Sequence, residues 1–222
     1  MHPNPVFRPA EDVLLDRAAA IGFAHLFAAT PAGPMVAHAP LTRHGEELWF
    51  HLSRANRLHP HLDGAPLLAS LAGPDGYVSP NWYERPGNQV PTWNYVTVEV
   101  EGIARALPKT ALIEQLDALA DLQEPRPNPW TRAKADPQAI ASMLRAIEGF
   151  AIRVTAIRGT DKLSQNKSAA DRAGVVAGLT ERGNPALAYA MTAEPRDAPP
   201  PDTQSSQTAS PTCIVPGRAT EA

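Results

Sequence analysis

Residues 79–102 read SPNWYERPGNQVPTWNYVTVEVEG, two tryptophan clusters either side of a polar loop and then a run of strict alternation. Val96, Val98 and Val100 face one way, and Thr97, Glu99 and Glu101 the other. This is the period-two pattern of a strand with one face in a core. Pro91 imposes an extended approach to it. Trp93 and Tyr95 are flat and amphipathic, and Asn94 between them both donates and accepts hydrogen bonds. That combination suits the amide-like edge of an aromatic heterocycle. Packing at the end of a barrel is the alternative reading.

Outward from this strand, short apolar runs are separated by turn signals. FAHLFAAT stops at Pro31-Ala32-Gly33, PMVAHAPLT at His44-Gly45, and PLLASLAG at Pro74-Asp75-Gly76, with ELWFHLS in between. These predict consecutive antiparallel strands joined by hairpins. Pro9 followed by AEDVLLDRAAAIGF predicts a first helix that Gly22 closes. Leu112, Leu116 and Leu119 lie at helical spacing. Ile140, Leu144 and Ile147 do so again, after Asp136 as an N-cap. GFAIRVTAIRG returns to strand and SAADRAGVVAGL to helix. Clustered strands with peripheral helices predict a mainly β, α+β fold built as an antiparallel barrel. No G-x-G-x-x-G follows a strand and there is no P-loop, which argues against a dinucleotide fold or a nucleotide hydrolase.

The 222 residues, 43% of them hydrophobic, suffice for one domain with an appendage. We expect the domain to span 1–191. From 192 to 222 the chain is rich in Pro, Ser, Thr and Ala and lacks the apolar surface to offset ordering entropy, so a disordered tail is expected. The formal charge of −3 and pI near 6.2 remove the global attraction on which most nucleic-acid binders rely. Cys213 has no internal partner, and no stretch has signal-peptide or membrane-spanning character, so a cytoplasmic location is expected.

Seven histidines show no zinc spacing. Ser164 and Ser168 lie outside any nucleophile elbow, so no side chain is assigned a catalytic role. Two polar segments stand out. HLSRANR, 51–57, places Ser53, Arg54, Asn56 and Arg57 on a turn leaving a strand, where hydroxyl, guanidinium and free backbone N–H groups would suit a phosphate. DKLSQNKSAADR, 161–172, offers Lys162, Ser164, Gln165, Asn166 and Lys167 ahead of a helix, suited to an anion or the edge of a heterocycle. An N-cap with solvated lysines accounts for the same residues.

In order and spacing, HAPL (38–41), HLSRAN (51–56), SPNWY (79–83), VPTWNY (90–95), GF (149–150) and KLSQNK (162–167) resemble the PaiB family. These are FMN-binding split-barrel proteins described as negative transcriptional regulators. The resemblance covers residues 3–191. It implies a six-stranded split β-barrel with peripheral helices and a homodimer with FMN at the subunit interface. It also implies an FMN site made of His38, Ser53, Arg54, Asn56, Trp93, Asn94, Lys162, Ser164, Gln165, Asn166 and Lys167. Ser53, Arg54 and Asn56 would serve the phosphate and ribityl chain, and Trp93 and Asn94 the isoalloxazine. Two positions depart from the family pattern: Arg57 stands where a proline is common, and Lys167 where arginine is frequent. The family label implies repression of transcription. The acidic balance and the lack of a helix-turn-helix pattern speak against direct DNA binding. The alternatives are a flavin-dependent oxidoreductase of the pyridoxamine-phosphate-oxidase-like superfamily and a haem-binding split barrel.

Overall fold

The structure, a computed structural model, describes residues 2–87 and 89–192. Seven strands form one antiparallel sheet: β1 Phe23–Thr30, β2 Gly33–Pro40, β3 Thr42–His44, β4 Glu47–Ser53, β5 Pro66–Val78, β6 Thr92–Ala106 and β7 Ile147–Lys162. Their spatial order is β2-β1-β5-β6-β7-β4-β3. Only Leu41 separates β2 from β3, yet these two strands occupy opposite edges. The sheet therefore curls until its edges meet, which is the split-barrel fold. The count is seven rather than six because the run PMVAHAPLT breaks at Leu41 into β2 and β3.

Alternation decides what fills the barrel. Leu26, Leu48, Phe50, Leu71, Val98, Val100 and Ile152 point inward and are fully buried, with Phe50 stacked on Phe150 at 5.5 Å. Small residues on β1, β2 and β5 (Ala24, Ala37, Ala39, Ala69) make room for these larger ones, as small barrels require. Helix α1, Leu14–Ile21, covers the barrel with Leu14 and Ala18. Gly22 then takes a left-handed φ of 72° and donates to the Ala18 carbonyl, ending the helix.

Helices α2 Lys109–Gln123 and α3 Pro137–Arg145 lie between β6 and β7 in the chain. Both carboxylate oxygens of Asp136 cap α3, accepting from the Gln138 and Ala139 amides as the sequence predicts. A second core joins Val78 and Tyr83 to α4 Ala169–Glu181 and α5 Pro185–Thr192, through Val175, Leu179, Leu187 and Met191. Trp82 lies across the glycine face of α4. A Cβ at Gly174 would fall 2.0 Å from the Trp82 carbonyl oxygen, and one at Gly178 2.4 Å from its ring.

The sequence reading needs three further corrections. Pro74-Asp75-Gly76 does not end β5. A register shift between Ala72 and Asp75 carries the strand on, because a bulge takes the N–H-less proline out of the ladder. Hairpins do not link every consecutive pair: β5 pairs with β1 and β4 with β7, so β4 and β5 are apart. Helix α5 was not expected at all. It carries the chain to Thr192, and the tail expected beyond it lies outside the described residues. Among the described residues, no helix is long and apolar enough to cross a membrane.

Candidate functional site

At the end of β4 the chain turns through 53–57. Ser53 and Arg54 are exposed and Asn56 is half-buried. Three of the backbone N–H groups expected to be free here, those of Arg54, Ala55 and Asn56, are already spent. Arg54 N donates to the Ala146 carbonyl at 2.9 Å and Asn56 N to the Ser53 carbonyl at 2.9 Å. Ser53 Oγ accepts from Ala55 N, and Asn56 Oδ1 accepts from Leu58 N. A tight turn satisfies its own amides first. What remains to donate outward is the Ser53 hydroxyl, the Asn56 carboxamide and the exposed Arg57. Arg54 itself forks onto Glu148 at 3.1 and 3.2 Å, and Glu148 also meets His59 Nε2 at 2.5 Å.

The other end of β7 builds a different place. A pocket of about 280 Å³ is lined by Asn94, Lys162, Ser164, Asn166, Lys167 and Tyr83, with Asn4, Phe7, Gln89 and Val90 among its other walls. Register brings these distant residues together, since Tyr95 of β6 pairs with Lys162 of β7. Lys162 Nζ donates to the Trp93 carbonyl at 2.7 Å and to the Thr92 hydroxyl. Lys167 Nζ donates to Gln89 Oε1 at 2.9 Å and sits 5.0 Å from the centre of the Tyr83 ring. Both ammonium groups thus have neutral partners. Asn94, 1% exposed, donates through Nδ2 to Ser164 Oγ at 2.9 Å. Ser164 holds a φ of 61°, conspicuous for a residue other than glycine. Gln165 turns inward instead: its side chain accepts from Leu163 N and donates to the Asp161 carbonyl, bracing the loop.

Burial pushes the Lys162 amine below its ordinary value. Burial first, and then the Asp171 carboxylate, push the Tyr83 phenol up. For Lys162 the unfolded chain holds its proton more firmly, so between the depressed folded value and 10.5 unfolding takes up protons. Stability therefore rises with pH across that window, and the cost of burying the ammonium is felt in full below it. Relative to a Lys162→Met variant, the wild type is expected to gain stability as pH approaches 10.5. Urea melts of both proteins at pH 7 and near pH 10 check this; a difference that stays flat contradicts it.

The third feature is the outer face of the barrel. Register aligns His38, His25, Ser70, Glu99 and Arg158 in one row across β2, β1, β5, β6 and β7. The next row begins with Val36 and Phe27. Phe23 is 52% exposed, Phe27 42% and Val36 47%. His38 packs edge-on against His25 at 4.9 Å. Trp93 is half-exposed, and its indole N–H is fixed by Asp75 at 2.7 Å.

A family model described as "Putative FMN-binding domain" matches residues 1–156. Protease synthase and sporulation protein PAI 2 of Bacillus subtilis is 38% identical over 120 residues, 54% of this chain and 57% of that protein. The chain belongs to the PaiB family of FMN-binding-domain proteins. An Aspergillus fumigatus protein is 28% identical over 127 residues, 48% of this chain and 49% of that one. The chain spans about half the length of the curated relatives it matches. Among solved structures, the flavocytochrome Anf3 of Azotobacter vinelandii aligns with a TM-score of 0.55 at 17% identity, covering 76% of this chain and 75% of its own. The FAD and haem binding protein of Mycobacterium smegmatis aligns at 0.52 and 17%, covering 74% and 77%. These likenesses are of fold, and they agree with the split barrel. The family match takes in the β4 turn, Trp93 and Asn94, and stops before 162–167.

The predicted site residues therefore fall into groups. Ser53, Arg54 and Asn56 lie together at one end of β7. Asn94, Lys162, Ser164, Asn166 and Lys167 lie together at the other, separated by up to about 50 Å of strand contour at ~3.3 Å per residue. Trp93 opens beside the second group, and His38 stands on the outer face. Asn4, Phe7 and Gln89 were not anticipated, because no local pattern marks a residue that reaches a site only through tertiary packing.

Proposed function

We propose that this chain is an FMN-binding, PaiB-type flavoprotein that works as a two-fold homodimer and couples its flavin to gene regulation. Family membership supports the cofactor, and the residues present fit it. The β4 turn retains a hydroxyl, a carboxamide and a guanidinium pointing to solvent, a donor set suited to a phosphate. A half-exposed indole and an aromatic sheet face stand open for a flat ring. In this reading Ser53, Asn56 and Arg57 take the phosphate and ribityl chain, Arg54 braces the turn through Glu148, and His38 and Trp93 border the ring. When bound, the flavin supplies electron transfer, and the protein orients it.

The observation that carries the dimer is the bare outer face. Phe23, Phe27 and Val36 form an apolar area beside a row in which Glu99 and Arg158 stand side by side. A two-fold axis sets the same patch against itself, so a surface carrying both charge signs beside an apolar area complements its own copy. Pairing also supplies the geometry one chain lacks, since the β4 turn and the Trp93 end lie far apart along β7. The name of the Bacillus relative, a protease synthase and sporulation protein, supports a regulatory role. The net charge of −3 favours action through a partner over direct DNA binding.

The purified protein is expected to be yellow and to release FMN on denaturation. A colourless protein that takes up no FMN on incubation overturns the reading. Arg57→Ala is expected to weaken FMN binding about tenfold or more, the effect of losing a charge-assisted hydrogen bond. Fluorescence titration of the stripped protein measures it, and unchanged affinity would move the phosphate elsewhere.

A further inference from the structure

We propose that the pocket around Lys162 and Lys167 binds a small carboxylate with a compact apolar body, within a single chain and apart from the flavin phosphate. This goes beyond the flavin reading and does not depend on it. Two ammonium groups line a space of about 280 Å³, and each is hydrogen-bonded to neutral oxygens: Thr92 and the Trp93 carbonyl for one, Gln89 for the other. A partly buried cation without a counter-charge is costly, and an incoming anion relieves that cost. The depressed Lys162 amine has the same origin. Asn166 is exposed at the wall and adds an uncommitted carboxamide.

The remaining walls decide the class of anion. Phe7, Val90 and the Tyr83 ring give one side an apolar surface, which a bare inorganic ion would leave unused. Among the described residues no guanidinium lines the pocket, so they do not supply the forked geometry that favours a phosphate. The volume lies just under the ~300 Å³ at which pockets begin to enclose drug-sized ligands, so the ligand is of small-metabolite size. Within one chain, this pocket and the phosphate donors lie at opposite ends of β7.

Benzoate is the probe. Calorimetric titration of the full chain, once loaded with FMN and once stripped of it, is expected to show saturable benzoate binding in both forms. Lys162→Met and Lys167→Met are each expected to weaken it about tenfold or more. Asn166→Asp sets a carboxylate at the exposed wall without disturbing packing, and is expected to weaken binding similarly, which keeps the test valid if a lysine variant folds poorly. Benzoate binding that is indifferent to all three substitutions overturns the proposal. So does competition between benzoate and FMN, or tighter binding of inorganic phosphate than of benzoate. A chain that takes up no FMN fails the flavin reading alone, because the stripped form still reports on this pocket.

Discussion

Gly174→Ala is expected to destabilise the protein by about 2 kcal/mol, although the same change in an exposed helix interior would stabilise it. Helix propensity favours alanine by ~1 kcal/mol. Against this, a Cβ at Gly174 would stand 2.0 Å from the Trp82 carbonyl oxygen. That atom is backbone, held in a 3-10 turn whose cap is the Ser79 hydroxyl, so it cannot swing aside as a side chain would. Overpacking of this kind costs roughly 3 kcal/mol, and the steric effect wins. For a domain of this size the expected fall in Tm is about 4–8 °C. Thermal denaturation followed by circular dichroism checks it, and a raised Tm would show that the Trp82 turn is free to move away from α4. The same displacement would shift Tyr83, so benzoate binding in the adjacent pocket is expected to fall as well.

Phe27→Lys combined with Val36→Lys is expected to convert the proposed homodimer to monomer with little change in the fold. Both side chains are already more than two-fifths exposed on the outer face. Placing lysine there costs the monomer no more than the ~1 kcal/mol span of strand propensities. Across a two-fold interface each substitution occurs twice, and four ammonium groups would have to be buried against an apolar surface. Light scattering should report a halved mass while the circular dichroism spectrum stays unchanged. FMN retention is expected to drop in the same variant, because in the proposed dimer the β4 turn of one chain and the Trp93 end of its partner share one flavin. A doubly substituted protein that remains dimeric would place the interface on another surface.

Much of the architecture follows from local pattern. The alternation from Val96 to Glu101 placed β6 in the sheet, the Gly22 cap closed the first helix, and Asp136 opened α3. These features are legible because they depend on side-chain period and on backbone preferences a few residues long. The PaiB resemblance likewise rests on short ordered motifs. Where the reading went astray, a distant contact outweighed a local signal. Pro74-Asp75-Gly76 carries the chemistry of a turn, yet pairing with β6 holds it in β5 as a bulge. Helix α5 has its apolar partners in Val78 and Tyr83, a hundred or so residues away, and so left little trace in its own pattern.

The candidate site divides in the same way. Its residue types were visible in the chain: the hydroxyl, carboxamide and guanidinium of the β4 turn, and the lysines and amides of the 162–167 loop. Which of them meet was not. Asn94 and Ser164 touch because β6 and β7 pair in one particular register, and Phe7 and Gln89 reach the same pocket from outside any motif. The β4 turn lies apart from them because a single long strand, β7, runs between the two. Sequence alone therefore determined the elements and the chemical groups on offer, which are local properties. Tertiary structure decided which groups converge and whether backbone donors are already spent, because register, curl and packing are settled only when the whole sheet forms.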